Sequence, residues 1–440
     1  MTGHDQDRRG TPSRRRFLQG MAALGVGGSV LAACGDDDDG GGDSAAGDGG
    51  GDDIPSARIG YVTPRTGPLA PFGEADAFVL AAMRAELGEA VEIIDVDSES
   101  DAGRAGEVAQ ELISEGVELV LVASTPDTTV PVASACDLAE VPCISTQAPW
   151  QPHYLGIGGE LGPDVDEPPQ ASAYNWHFFW GLEDVIENFI ALWEQAGVDK
   201  VVGGLWPNDP DGNAWSDAAV GFPPALEAAG FTVVDPGRFP VDTQDFSAQI
   251  GQFRTEGVTI VSGVLPPPTF ANFQSQAGQQ GFNPPVITVG KALLFPSAVE
   301  SYPKGEGLSS EIWWTADHPF TSSLTGQSAT ELAAAFEEQT GAQWTQPLGF
   351  AHALFEVAVD VLRRAGDADP DALNEALAET DLATVVGQVN FDSGPVPNLS
   401  KTPLVAGQWV AGQDYPLELA INVNGQLPEL AVDGDIQPIS

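Results

Sequence analysis

The sequence predicts an α/β fold of two lobes, each built on a doubly wound parallel sheet. From residue 58 onward, short β-rich runs alternate with amphipathic or alanine-rich stretches that have helical spacing. This strand–helix–strand order favours a parallel sheet covered by helices on both faces. The same order starts again at residue 200, which indicates a second lobe of the same kind.

The predicted elements of the first lobe are strands at 58–63, 91–95, 119–122 and 141–145, with helices at 73–87, 105–115 and 129–140 between them. Those of the second lobe are strands at 200–205, 232–235, 259–263 and 286–289, with helices at 215–229, 246–256 and 270–280. Helices at 329–340 and 350–365 and β-like segments at 389–391 and 403–410 follow. Ligands of such sheets bind beyond the carboxyl ends of the strands, so we expect the strand-to-helix loops to form the site.

The N-terminus has the pattern of an export signal. Residues 13–18 read Ser-Arg-Arg-Arg-Phe-Leu and open an apolar run that ends near residue 33, an order that resembles a twin-arginine signal. The run stops at Leu-Ala-Ala-Cys, which resembles the bacterial lipobox, in which Cys34 would be acylated. The alternative is a buried free cysteine at the end of a short helix. We therefore predict a signal peptide over 1–33 and a protein exported and lipid-anchored to the outer face of the bacterial cytoplasmic membrane.

The segment that follows, 34–54, consists almost entirely of Gly and Asp with some Ser and Ala. Such a segment cannot bury enough apolar surface to offset the entropy lost on ordering, so we predict a disordered tether.

Charge excludes one class of partner. The chain has 17 basic and 64 acidic residues and a formal charge of -47. Nucleic-acid binding depends on Lys and Arg contacts with phosphate, so we expect no nucleic-acid partner.

Two cysteines remain beyond the predicted lipidation site. In an exported protein, Cys136 and Cys143 are close enough in sequence to form a disulfide, which is our prediction. Two free buried thiols are the main alternative, because a redox pair would favour the tighter Cys-x-x-Cys spacing.

Four short motifs carry a family resemblance. They read Thr-Gly-Pro-Leu-Ala-Pro-Phe-Gly at 66–73, Val-Pro-Cys-Ile-Ser at 141–145, Asn-Asp-Pro-Asp-Gly-Asn at 208–213 and Val-Asn-Phe-Asp-Ser-Gly at 389–394. Their order resembles the branched-chain amino-acid type of periplasmic binding protein, the type I solute-binding fold of ABC importers.

The resemblance implies two lobes joined by a three-crossover hinge, with a ligand cleft between them. The first lobe would comprise 55–180 and 316–395, and the second 181–315 and 396–440. It also implies an ABC permease in the membrane as partner, and we expect the protein to act as a monomer.

In the first lobe, the resemblance places Phe72 over the ligand, although Phe72 could instead pack as a hydrophobic staple. Ser124 and Thr125 match the family's hydroxyl-bearing loop, and N-capping of the next helix is their alternative role. The loop after the next strand contributes three more candidates, Gln147, Ala148 and Trp150.

In the second lobe, Trp206 and Asp211 follow one predicted strand, Leu265 follows another and Lys291 a third. A lysine at this strand end would repel an ammonium and attract a carboxylate, unless it is a solvated surface lysine. Either Trp313 or Trp314 could join Trp150 and Trp206 in an aromatic wall. Tryptophan walls suit flat, apolar or cationic ligands. We therefore expect an amino-acid-like ligand, an aromatic acid or an amide.

No Walker loop, nucleophile elbow or metal-ligand spacing is present, and the five histidines are scattered. We therefore predict a protein that is not an enzyme and uses no metal or cofactor. Two alternatives stay open: a ligand-sensing receptor of the same fold, and an exported α/β hydrolase.

Overall fold

The computed structural model describes residues 54–162, 165 and 167–439. The predicted signal peptide, Cys34 and residues 35–53 of the predicted tether lie outside these residues. In chain order, the strands are β1 Ala57–Thr63, β2 Val91–Asp97, β3 Leu119–Ala123, β4 Cys143–Thr146, β5 Asn175–Phe178, β6 Val201–Leu205, β7 Thr232–Val234, β8 Ile260–Leu265, β9 Val286–Lys291, β10 Ser309–Ile312, β11 Asp381–Thr384, β12 Gly387–Asn390, β13 Leu399–Ser400, β14 Val405–Ala411 and β15 Leu417–Val423.

The helices alternate with these strands. In chain order they are α1 Asp76–Leu87, α2 Ala102–Ser114, α3 Pro126–Leu138, α4 Trp150–Gly156, α5 Leu182–Gln195, α6 Pro210–Trp215, α7 Phe222–Ala228, α8 Ser247–Thr255, α9 Pro267–Gln279, α10 Pro296–Ser301, α11 Ala329–Thr340, α12 Pro347–Ala365 and α13 Pro370–Ala378.

The first lobe is built on a parallel sheet with the strand order β13-β5-β4-β3-β1-β2. Every residue of β3 and β4 is buried, because helices cover both faces of the sheet. Helices α11 and α12 return from the second lobe to pack beside α1, and α12 also contacts β3 and β4.

The second lobe has a sheet with the order β15-β14-β10-β9-β8-β6-β7. Its strands β6 to β10 pair in parallel, while β14 and β15 add an antiparallel edge. Strands β8 and β9 are buried along their whole length. Both central sheets therefore have the doubly wound arrangement that the strand–helix periodicity predicts.

The chain crosses between the sheets three times, after β5, after β10 and after β13. In the third crossing, Lys401 lies 2.5 Å from Glu183 and 2.8 Å from Asp184, at the start of α5. The first and third crossings are thus held together by ion pairs. The predicted α/β fold of two parallel-sheet lobes is confirmed.

Some element boundaries differ from the prediction. Strand β13 pairs with β5 of the first sheet, so the lobe boundary expected at 395/396 falls before the last strand of the first lobe. Only part of the helix predicted at 215–229 is formed: α6 ends at Trp215, residues 216–221 have no helical structure, and α7 covers Phe222–Ala228, with prolines at positions 223 and 224 in its first turn.

Among the described residues, no helix combines the length and the apolar character needed to cross a membrane.

Candidate functional site

A cavity lies between the lobes at the carboxyl ends of their strands. The first lobe lines it with Phe72, Thr125, Gln147 and Pro149, and the crossing segments add Trp180 and Trp313. The second lobe lines it with Asp211, Trp215, Val264, Lys291, Leu294 and Glu311. The cavity volume is about 20 Å³, roughly room for a single water molecule.

The small volume reflects direct contact between the lobes. The Ser297 hydroxyl of the second lobe donates to Glu74 of the first at 2.6 Å. The ring of Phe72 packs edge-on against Phe295, with centroids 5.0 Å apart, and stacks 6.0 Å from Trp313. The structure is therefore a closed arrangement, in which a larger ligand needs the lobes to separate.

Six of the predicted site residues line the cavity: Phe72, Thr125, Gln147, Asp211, Lys291 and Trp313. Thr125 holds the N-cap position of α3, but its side chain does not cap the helix. Phe72 contacts the second lobe across the cavity through Phe295, so its role is wider than that of a staple.

Five predicted residues do not line it, and two of these are tryptophans. Trp150 turns away, donating its indole N–H to Glu183 at 3.2 Å and packing edge-on against Tyr154. Trp206 is fully buried, with its ring folded back over Gly204 and the Arg238 guanidinium 5.1 Å from its face.

The other three lie one position away from lining residues. Ser124 and Leu265 are buried beside the lining residues Thr125 and Val264, as the alternation of side chains along extended backbone requires. The carbonyl of Ala148 is the hydrogen-bond partner of His177 Nε2 at 2.8 Å, which fixes that loop from behind.

A buried ion cluster forms the second-lobe side of the cavity. The Lys291 ammonium lies 2.7 Å from Asp211 Oδ2 and 3.1 Å from Asp209 Oδ2, at the start of α6. All three side chains are nearly inaccessible to solvent. Lys291 is therefore neither a solvated surface lysine nor a free cation waiting for a ligand carboxylate, because two aspartates already compensate its charge.

The cluster contains more acid than base. Burial raises the pKa of Asp211 to about 7, against the attraction of Lys291. Burial opposes the charge of Lys291, but the carboxylates of Asp209, Asp211 and Asp127 outweigh it and raise the Lys291 pKa. Asp127 comes from the first lobe, and burial raises its pKa as well. Burial therefore favours the neutral form of Asp211 and Asp127, whereas the surrounding carboxylates favour the charged form of Lys291.

Glu311 is a site residue that the sequence did not reveal. It lies in β10, a strand missing from the prediction, and burial raises its pKa. A Cβ placed on Gly290 would lie 3.1 Å from Glu311 Oε1 and 3.0 Å from Trp215 Cη2. Glycine at this position therefore lets a carboxylate and an indole ring approach the same point.

Aromatic rings form most of the remaining wall. Trp180 and Trp215, which the sequence did not assign to the site, join Phe72 and Trp313 there. Within the described part of the chain, the indole nitrogens of Trp180 and Trp215 have no hydrogen-bond partner. Buried indole N–H groups normally find a partner, so these two are donors free for a ligand or water.

Two loops hold cavity residues in a left-handed backbone conformation. Gln147, directly after β4, has φ +66° and Lys291, at the end of β9, has φ +61°. The Gln147 side chain donates to the Pro347 carbonyl at 3.4 Å, while its amide oxygen has no hydrogen-bond partner among the described residues.

The predicted disulfide is absent, because Cys136 and Cys143 are free thiols and both are buried. The two side chains lie in contact, and their hydrogen bond together with burial raises the pKa of Cys136. A neutral, buried thiol is a weak nucleophile.

Comparisons with known proteins agree with this architecture. Residues 56–411 match the family model described as periplasmic binding protein. A search of curated proteins found no match.

Solved structures with the same fold include binding proteins for different ligands. The leucine-binding protein of Thermotoga maritima is 19% identical, with a TM-score of 0.67 over 85% of this chain and 100% of that one. A solute-binding protein of an ABC transporter from Rhodopseudomonas palustris, in complex with 3,4-dihydroxybenzoic acid, is 18% identical, with a TM-score of 0.66 over 83% and 96%.

A third neighbour is the branched-chain amino-acid transporter substrate-binding protein of Streptococcus pneumoniae, in complex with isoleucine. It is 18% identical, with a TM-score of 0.65 over 83% of this chain and 99% of that one. The family match spans most of the chain, and the predicted resemblance is confirmed. The chain belongs to the periplasmic binding protein family.

Proposed function

We propose that this protein is the extracytoplasmic solute-binding protein of an ABC importer and captures a small ligand by closure of its two lobes. The observation that carries the proposal is the cavity itself. Both lobes and two of the crossing segments line it, so occupancy and lobe closure are coupled. A ligand that contacts both lobes would shift an open–closed equilibrium towards the closed form.

The relatives bind amino acids and aromatic acids, and the cavity favours the first of these. An aromatic acid has no N–H group to donate to Asp211 and Glu311. An amino-acid-like ligand or an amide offers N–H groups to the same oxygens, while its apolar body packs against the tryptophans.

The N-terminal features fit delivery to a membrane partner. Acylation at Cys34 and a flexible segment over 34–54 would keep the folded body near an ABC permease and raise its local concentration there. Mass spectrometry of the mature protein from a bacterial host tests the lipid on Cys34. An unmodified cysteine in the mature protein would contradict the anchor.

A thermal-shift screen of the purified protein tests the binding function. Amino acids, amides, amines and aromatic acids are the probes, and a ligand at a hundredfold excess over Kd stabilises the protein by about 2.7 kcal/mol. A hit recovered chemically unchanged after incubation supports binding, whereas turnover would support the hydrolase alternative. No hit across the panel would contradict the proposal.

Variants locate the hit in the cavity. Trp313→Leu removes a cavity wall and should weaken binding about tenfold, as measured by calorimetry. Trp150→Leu is the matched control, because Trp150 lies outside the cavity. Equal losses in both variants would place the ligand elsewhere. Transport assays in cells with and without this protein then distinguish an importer from a sensing receptor.

A further inference from the structure

We propose that the natural ligand carries a net positive charge, an organic amine or related cation, whose charged nitrogen binds at Glu311 between the indoles of Trp215 and Trp313. This inference rests on the proposed function and concerns the substrate class of the same cavity. It differs from the zwitterionic and anionic ligands of the relatives described above.

Glu311 is a buried carboxyl without a cation. No residue in 54–162 or 167–439 forms an ion pair with it, and its side-chain oxygen accepts only from neutral groups such as the Ser310 hydroxyl at 2.8 Å. Burial favours the neutral form of an unpaired carboxyl, and a cation beside it would favour the charged form. A cationic ligand would supply the partner that the chain lacks.

Aromatic rings flank this carboxyl. Trp215 approaches Glu311 over Gly290, and Trp313 lines the same cavity. A cation beside a carboxylate among these rings gains from the charge, and it gains from a ring quadrupole as well where it lies over a ring face. A neutral amide gains little from either.

The position of Asp127 argues against a ligand carboxylate. The first turn of α3 is where an anion would bind in the first lobe, because free backbone N–H groups point outward there. The chain places Asp127 in that turn, and its carboxyl lies near enough to Lys291 for each to shift the pKa of the other. The N-terminal end of α3, where a ligand anion would bind, therefore already carries the carboxyl group of Asp127.

The charge count points the same way. Lys291 is the single base of the cavity cluster, and its ion pairs are with Asp209 and Asp211. Asp127 and Glu311 remain without an ion pair within the described chain. A ligand cation would favour the ionised form of these unpaired carboxyls, whereas a ligand anion would oppose it.

Three ligands of matched shape test the inference on the unmutated protein. Tyramine is a cation, tyrosine a zwitterion and 3-(4-hydroxyphenyl)propanoate an anion, and all three share the phenol. We expect tyramine to bind at least about tenfold tighter than the propanoate by calorimetry, with tyrosine between them. Tighter binding of the propanoate would overturn the inference and leave the binding function intact. Binding of none of the three, with no hit among other amines, would overturn it as well.

Glu311→Gln keeps the shape of the side chain and removes its charge. We expect the affinity for tyramine to fall about tenfold, and the preference for the cation over the anion to shrink. Glu227→Gln, on the exposed face of α7, is the matched control and should change neither. An unchanged preference in the Glu311→Gln variant would overturn the inference. If that variant does not fold, the comparison of the three ligands on the unmutated protein still tests the preference for a cation.

Discussion

The two lobes present different chemistry to the cavity that they share. The first lobe lines it with neutral side chains, such as Phe72 and Gln147, whereas the second lines it with Asp211, Lys291 and Glu311. The charged side chains that line the cavity thus come from the second lobe, and Asp127 of the first lobe lies near them without lining it. The comparison suggests that the second lobe selects the ligand by charge, and that the first closes over it.

The buried carboxyls of Asp76 in the first lobe and of Asp209 and Asp211 in the second have different partners. In the first, Asp76 accepts hydrogen bonds from the hydroxyls of Tyr61, at 2.9 Å, and Thr63, and burial raises its pKa to about 6. In the second, Asp209 and Asp211 pair with Lys291. A carboxyl satisfied by hydroxyls can exist in a neutral form, whereas a carboxylate pair with a lysine depends on the cation.

Among the variants that test this difference between the lobes, Lys291→Met is expected to have the largest effect on stability. It leaves Asp209 and Asp211 buried without a cation, which typically lowers the free energy of unfolding by about 3–5 kcal/mol. Urea denaturation measures it. Lys200→Met is the matched control, because it breaks an exposed ion pair with Glu194 and should cost about 1 kcal/mol or less. Similar losses in both variants would contradict a structural role for the buried cation.

The first-lobe carboxyl predicts a pH dependence. The pKa of Asp76 in the folded protein, about 6, lies above its usual 3.8. Its contribution to stability is therefore complete below pH 3.8 and is lost as the pH rises through 6, by roughly 3 kcal/mol.

The asparagine of an Asp76→Asn variant cannot ionise. The variant should therefore lose less stability than the unmutated protein between pH 4 and 6. Denaturation of the variant and of the unmutated protein across this range measures the difference. Parallel profiles would show that the pH dependence comes from other groups.

The smallest effect concerns the contact between the lobes. Ser297→Ala removes the hydrogen bond to Glu74, which should favour the open form by about 1 kcal/mol. Small-angle scattering of the unliganded protein should then give a larger radius of gyration. Ser301→Ala is the control, because that hydroxyl bonds only within α10, to the Ala298 carbonyl at 2.6 Å. An unchanged radius in the Ser297→Ala variant would mean that other contacts determine closure.

The fold was largely predictable because strand and helix periods are local properties. Strands β3, β8 and β9 were found as apolar runs, and α11 was predicted at its observed bounds. Shorter elements were missed: β10 places Ser309, Ser310 and Glu311 in the interior, so its composition does not resemble a buried strand.

The site was predictable only to the level of its loops. The sequence indicates that Trp150 and Trp206 follow strands, but the direction of an indole depends on neighbours such as Glu183 and Gly204. The same limit applies to Lys291. Its charge is evident in the sequence, whereas its partner Asp209 is 82 residues away and is brought near only by the fold.

The left-handed backbone at Gln147 has a consequence for engineering this protein. A side chain other than glycine in that conformation costs of order 1 kcal/mol, and the hydrogen bond from its amide to Pro347 is long. Replacement by glycine would recover part of that cost while it removes a side chain from the cavity. A selection for heat resistance would therefore favour a change that impairs ligand retention, so the two properties have to be screened together at this position.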